Sequence, residues 1–178
     1  GPGEFLDPPL RRGGLRTGLM VEGKDKRDAA THVSFSIGMI VALPRFSGDP
    51  ALPSEVQVAC LESYLAHMRA LIEFFIRPKS KRDFHASDFI SGWSARSDRA
   101  NEIWRVVSQN VSHFSLDRLP SSKAFEVWNT EPQLLEVYAS EVLDVAGRFV
   151  EELRSLVVDD EDCGYDILGS SVELARRS

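Results

Sequence analysis

Ser54–Phe75 reads SEVQVACLESYLAHMRALIEFF, and its reading decides the fold. Cys60, Leu61, Tyr64, Leu65, Met68, Leu71, Ile72 and Phe75 recur at three- and four-residue steps, which gathers them into one wide apolar stripe on a helix. Glu62, Arg69 and Glu73 fall on other faces, and Arg69 with Glu73 is an i,i+4 pair worth only ~0.3–0.5 kcal/mol. Ser54 and Gln57 have the spacing of a capping box, and Pro78 ends the helix.

The same pattern recurs downstream. DFHASDFISGW predicts a short helical turn anchored by Phe84, Phe89, Ile90 and Trp93. Ser97 or Asp98 can cap a second long helix with Ala100, Ile103, Val107, Val111 and Phe114 on its inner face, ending before Pro120. Phe125 and Trp128 suggest a further turn over 121–129. A third long helix begins around Thr130, where Pro132 is tolerated in the first turn, and is lined by Leu135, Val142, Leu143, Ala146, Phe149, Val150 and Leu153. Gly147 within it either lets another helix approach closely or lowers its stability. Three long helices joined by compact turns bury their stripes against one another, so the fold class is all-α, a helical bundle of three long helices plus short helices.

One stretch reads differently. In THVSFSIGMIVALPRF, the apolar residues Val33, Phe35, Ile37, Met39 and Val41 alternate, which is the period of an extended segment with one buried face, interrupted at Pro44. A lone strand needs a partner, such as a second copy or a helix. Residues 1–30, rich in Gly, Pro and charge, read as a flexible arm or a cloning-derived leader, with Met20 as a natural start. Residues 31–158 form a single helical domain. Residues 159–178 carry six acidic and two basic groups and read as an acidic tail.

Composition narrows the function classes. The chain has 178 residues and a net charge of −6, so long-range attraction to a polyanion is weak. The local exception is Arg77–Arg82 (RPKSKR), where Arg77, Lys79, Lys81 and Arg82 could hold an RNA backbone. No stretch approaches the ~18 consecutive apolar residues of a membrane span. Two cysteines, Cys60 and Cys163, make neither a disulfide framework nor a metal spacing, and a cytoplasmic setting is expected. No cofactor or metal is expected either.

The polar cluster is QNVSHFSLDR (Gln109–Arg118). His113 has Asn110 one turn before it and Asp117 four residues after, and an imidazole beside a carboxylate suits a general base. The same residues also suit helix capping and core hydrogen bonding, which is the commoner use of a single histidine. His67 points partly inward, as a buried neutral histidine or as a partner for His113. Trp93, Trp104, Trp128 and His67 could line a small-molecule pocket, although tryptophans at such spacing are more often core.

Taken together, LESYLAHMRALIEFF, DFHASDFISGW and RVVSQNVSHFSLDR resemble a group of bacterial helical proteins that look like distant members of the HEPN superfamily, over about residues 54–156. The resemblance implies a helical bundle that tends to dimerise. It also implies, for active members, metal-independent RNA cleavage by an arginine and a histidine across a dimer cleft. Here seven residues separate Arg105 from His113, which on one straight helix puts them about 80° and ~12 Å apart. Arg118 becomes the alternative if the helix breaks at Phe114.

Two functions follow as expectations. One is a HEPN-like helical protein acting through dimerisation or partner binding, as a homodimer or on a protein partner, without a demonstrable catalytic motif. The alternative is a metal-independent ribonuclease of toxin or antiphage type, using His113 with Arg105 or Arg118, supported by Asn110 and Asp117.

Overall fold

The computed structural model describes residues 23–80, 83–112, 133–156 and 164–177. Among them are six α-helices, one 3-10 turn and no strand: α1 (Gly23–Ala42), α2 (Pro44–Ser47), α3 (Ser54–Phe75), the 3-10 turn Ala86–Asp88, α4 (Asp98–Ser112), α5 (Gln133–Leu156) and α6 (Tyr165–Arg177). The all-α reading holds.

The extended segment is corrected to a helix. Within α1, Ala30, Val33, Ile37 and Ile40 are buried at steps of three and four residues, and Leu43 continues the series just past its end, while Phe35 is 59% exposed. The alternating pattern and the helical pattern share Val33 and Ile37; burial of Ala30, Ile40 and Leu43 selects the helix. The Thr31 hydroxyl donates to the Arg27 carbonyl at 3.0 Å, as a threonine on a helix surface can. The boundary of the arm moves with it, because α1 starts at Gly23 and buries Ala29 and Ala30.

The acidic tail is likewise corrected over its described part. Tyr165–Arg177 is a helix whose Leu168 and Val172, one turn apart, are buried. It runs parallel to α1: Arg27 pairs with Asp166 at 3.1 Å, and Ser34 bonds Ser171. Gly164 begins the approach with φ 72°, and its Cα lies so close to α1 that an added Cβ would sit 2.5 Å from the Ala30 Cβ. Only glycine takes that conformation and that distance without strain.

α3 is the central helix. Tyr64, Met68, Leu71, Ile72 and Phe75 are almost fully buried, each contributing ~1.5–3 kcal/mol by burial. The capping box expected at Ser54 is not formed. Pro53 holds the cap position, the Ser54 hydroxyl turns to Glu55, and the Gln57 amide donates back to the Leu52 carbonyl at 2.9 Å. The Arg69–Glu73 pair is present at 2.9 Å.

A capping box appears instead where no cap was expected. His85 Nδ1 accepts from the Ser87 backbone N–H at 3.0 Å, and the Asp88 carboxylate accepts from the His85 backbone N–H at 2.9 Å. Because Nδ1 accepts, the ring proton is on Nε2, which donates to the Arg77 carbonyl at 2.8 Å. One buried imidazole thus ties the 3-10 turn to the end of α3. At α4, Ser97 is the cap, its hydroxyl oxygen accepting from the Ala100 N–H at 3.0 Å.

The core closes between α3 and α5. Phe74, Phe75, Phe89 and Trp93 surround Phe149 edge-to-face, with centroids 5.1–6.0 Å from it. The Trp93 indole N–H donates to the Phe75 carbonyl at 2.8 Å, and the Tyr64 hydroxyl donates to the Leu135 carbonyl at 2.6 Å. Gly147 serves a close approach: the Arg176 guanidinium of α6 lies against it, where a Cβ would stand. The short helix expected over 121–129 lies outside the described residues.

Candidate functional site

Only part of the set singled out from sequence falls within the described residues. His113, Asp117 and Arg118 lie outside the described residues, as do Lys81, Arg82 and Trp128. Asn110 is in the last turn of α4. Arg105 is exposed on α4, two residues and so about 200° around the axis from the buried Ile103; it faces away from the core.

The described cations of the basic run are engaged within the chain. The Arg77 guanidinium sits 4.2 Å above the Trp104 ring and donates to Asn101 at 3.3 Å, while Lys79 pairs with Asp88. Trp104 in turn donates to Glu73 at 3.2 Å, so Arg69, Glu73, Trp104, Arg77 and Asn101 form one polar seam between α3 and α4. The proposed aromatic pocket does not assemble from its described members. Trp93 is committed to Phe75 and Phe149, Trp104 to this seam, and His67 to α1.

A different site emerges along α1 and α3. The two helices run antiparallel, with Ser36 against His67 and the start of α1 beside Leu71 and Phe74. Asp25, Asp28, His32 and Ser36 recur at steps of three and four and form a polar line on α1. They border a groove of about 390 Å³ with Ala29 and Val33 of α1, Ala70, Leu71 and Phe74 of α3, and Phe84 of the following loop. Its floor is apolar, because Ala29, Val33, Leu71 and Phe74 are buried core residues seen at their edges. Its rim is acidic, since among the described residues neither Asp25 nor Asp28 has an ion-pair partner. Phe84 stands 43% exposed at the groove.

Next to Ser36, Phe35 meets the His67 ring edge-on at 5.4 Å, and His67 Nδ1 lies 3.1 Å from the Ser36 hydroxyl. Partial burial disfavours the charged imidazole and lowers the His67 pKa from its usual 6.5. His67 therefore acts as a neutral joint between the two helices.

A second cleft, about 460 Å³, lies between α5 and α6 and contains Arg154, Arg176 and Arg177. Its charge is largely answered internally: Arg176 faces Glu151 at 3.9 Å, and Arg177 pairs with Glu173. Among the described residues no group of three or more His, Cys, Asp or Glu side chains is placed to hold a metal ion. No described helix is long and apolar enough to cross a membrane.

Asp25, Asp28 and His32 were overlooked in sequence because their segment was assigned to an arm and its margin. The signal was present, since their steps of three and four match those of Ala29, Val33 and Ile37 beside them. Compared with protein-family models, curated proteins and solved structures, the chain finds no match in any of the three.

Proposed function

We propose that this is a HEPN-like helical bundle that acts by docking onto another polypeptide along the seam of α1 and α3. One observation carries the reading: an apolar groove of about 390 Å³ with the exposed ring of Phe84 in its wall, and the exposed ring of Phe35 next in sequence to its lining residue Ser36. Aromatic rings left largely in water beside a groove are the usual anchors of an interface. The engagement of Arg77 and Lys79, two of the four expected RNA-backbone contacts, in bonds within the chain favours this reading over RNA cleavage.

A photo-crosslinking amino acid placed at Ala70, an exposed residue of the groove, tests the reading in cells of the source organism. A discrete adduct is expected at Ala70, reduced in the Phe35→Ser, Phe84→Ser double variant and missing when the same group is placed at the exposed Glu152 of α5. Equal adducts at both positions, or none at Ala70, would overturn it.

A further inference from the structure

The groove is built to discriminate by charge as well as by shape. Its floor is hydrocarbon and aromatic, while the carboxylates of Asp25 and Asp28, without an ion-pair partner among the described residues, stand on one wall at its mouth, three residues and so one helical turn apart. The neighbouring guanidinium of Arg27 is directed to the other side of α1, where it pairs with Asp166 at 3.1 Å. A guest with only apolar side chains would leave Asp25 and Asp28 beside a dry surface without a counter-charge, which is unfavourable. An anionic guest would meet like charge.

The groove is also open. His32, Asp25, Asp28, Ala70 and Phe84 are all exposed, so it cannot enclose most of a small ligand's surface as small-molecule sites do. A trough between two antiparallel helices suits a third helix laid along it, presenting anchors from one face.

Resting on the docking reading above, we infer that the guest is a partner-protein helix with a Lys or Arg one turn from a large apolar side chain. The apolar side chain enters over Leu71 and Phe74. The cation's aliphatic stem lies along Phe84, and its charged head reaches Asp25 and Asp28 in water. Long-range steering adds to this, since the whole chain is acidic at −6 and a basic guest approaches down the potential.

The probe is a fluorescently labelled helical peptide with Leu and Lys one turn apart along one face. Its twin carries Glu in place of every Lys. The full chain is titrated against both by fluorescence anisotropy, alongside the Asp25→Asn, Asp28→Asn double variant, with unchanged circular dichroism as the check on folding. The Lys peptide is expected to bind and its twin not. The double variant is expected to weaken binding about tenfold, the order of two exposed charge contacts, and added salt to weaken wild-type binding. Equal binding by wild type and double variant overturns the inference, as does preference for the Glu twin. So does light scattering that shows a second copy of the chain filling the groove. If neither peptide binds while the Ala70 cross-link still forms, this inference falls and the docking reading stands; if both fail, both fall.

Discussion

Gly164→Ala is the substitution with the sharpest expected consequence. The added methyl group acts twice. At φ 72° a non-glycine residue costs about 1–2 kcal/mol. Its Cβ would also fall 2.5 Å from the Ala30 Cβ and 3.4 Å from the Arg27 Cα, contacts on a rigid helix that cannot swing aside, and such overpacking costs about 1–3 kcal/mol. The total, ~2–5 kcal/mol, is comparable with what holds α6 in place, chiefly the burial of Leu168 and Val172 at ~1.5–3 kcal/mol each. The expected outcome is release of α6 from α1 before the rest of the bundle unfolds. Amide hydrogen exchange reads this directly: protection over Tyr165–Arg177 should collapse while that of α3 and α5 persists. An Ala30→Gly background removes the steric part and leaves the backbone part. The Gly164→Ala penalty should therefore shrink by about 1–3 kcal/mol there, beyond the separate cost of the helical glycine. Unchanged protection of Tyr165–Arg177, or an identical penalty in both backgrounds, would refute the reasoning.

Other outcomes follow from single contacts. Tyr64→Phe removes the hydroxyl's bond to the Leu135 carbonyl and should lower stability by about 0.5–1.5 kcal/mol, read as a shift in urea midpoint at constant slope. Burial, with the nearby Tyr138, raises the Tyr64 pKa above 10.0; the folded state then holds a proton that the unfolded state releases, so stability should fall as pH rises past about 10, and less steeply in Tyr64→Phe. For His67 the sign is reversed. Its folded pKa lies below 6.5, so the unfolded chain takes up the proton first and stability should decline as pH drops from about 6.5, a slope that His67→Gln should reduce in urea titrations at stepped pH. Ser97→Ala removes the α4 cap and should cost about 0.5–2 kcal/mol, measured by thermal melting.

The helices legible in sequence were those whose stripes are wide. Tyr64 to Phe75 and Leu135 to Leu153 each place six or more buried residues at helical steps, and no strand pattern competes with them. In α1 two periods overlap, because Phe35, Met39 and Val41 supply alternate apolar residues that the fold leaves exposed or half-buried. In α6 the buried signal is only Leu168 and Val172, too few to stand out from an acidic surround. The His85 cap was hidden for a chemical reason: an imidazole replaced the usual serine or aspartate, although Asp88 stood at the right step. The groove was illegible because its walls come from residues far apart in sequence, Asp28 and Phe74 among them. Of the polar cluster, only its Gln109–Ser112 end falls within the described helices.

The partnership of α1 with α6 also has a consequence in time. The Arg27–Asp166 and Ser34–Ser171 bonds join residues 139 and 137 positions apart. At the usual ~5–20 residues per second of translation, α1 leaves the ribosome roughly 7–30 s before the helix that will cover it. Through that interval the flank of α1 that α6 will cover, Ala30 included, is without its cover. A nascent chain of this protein should therefore be a chaperone client until α6 emerges, and ribosome-bound chains stalled before Gly164 are where that dependence would be greatest.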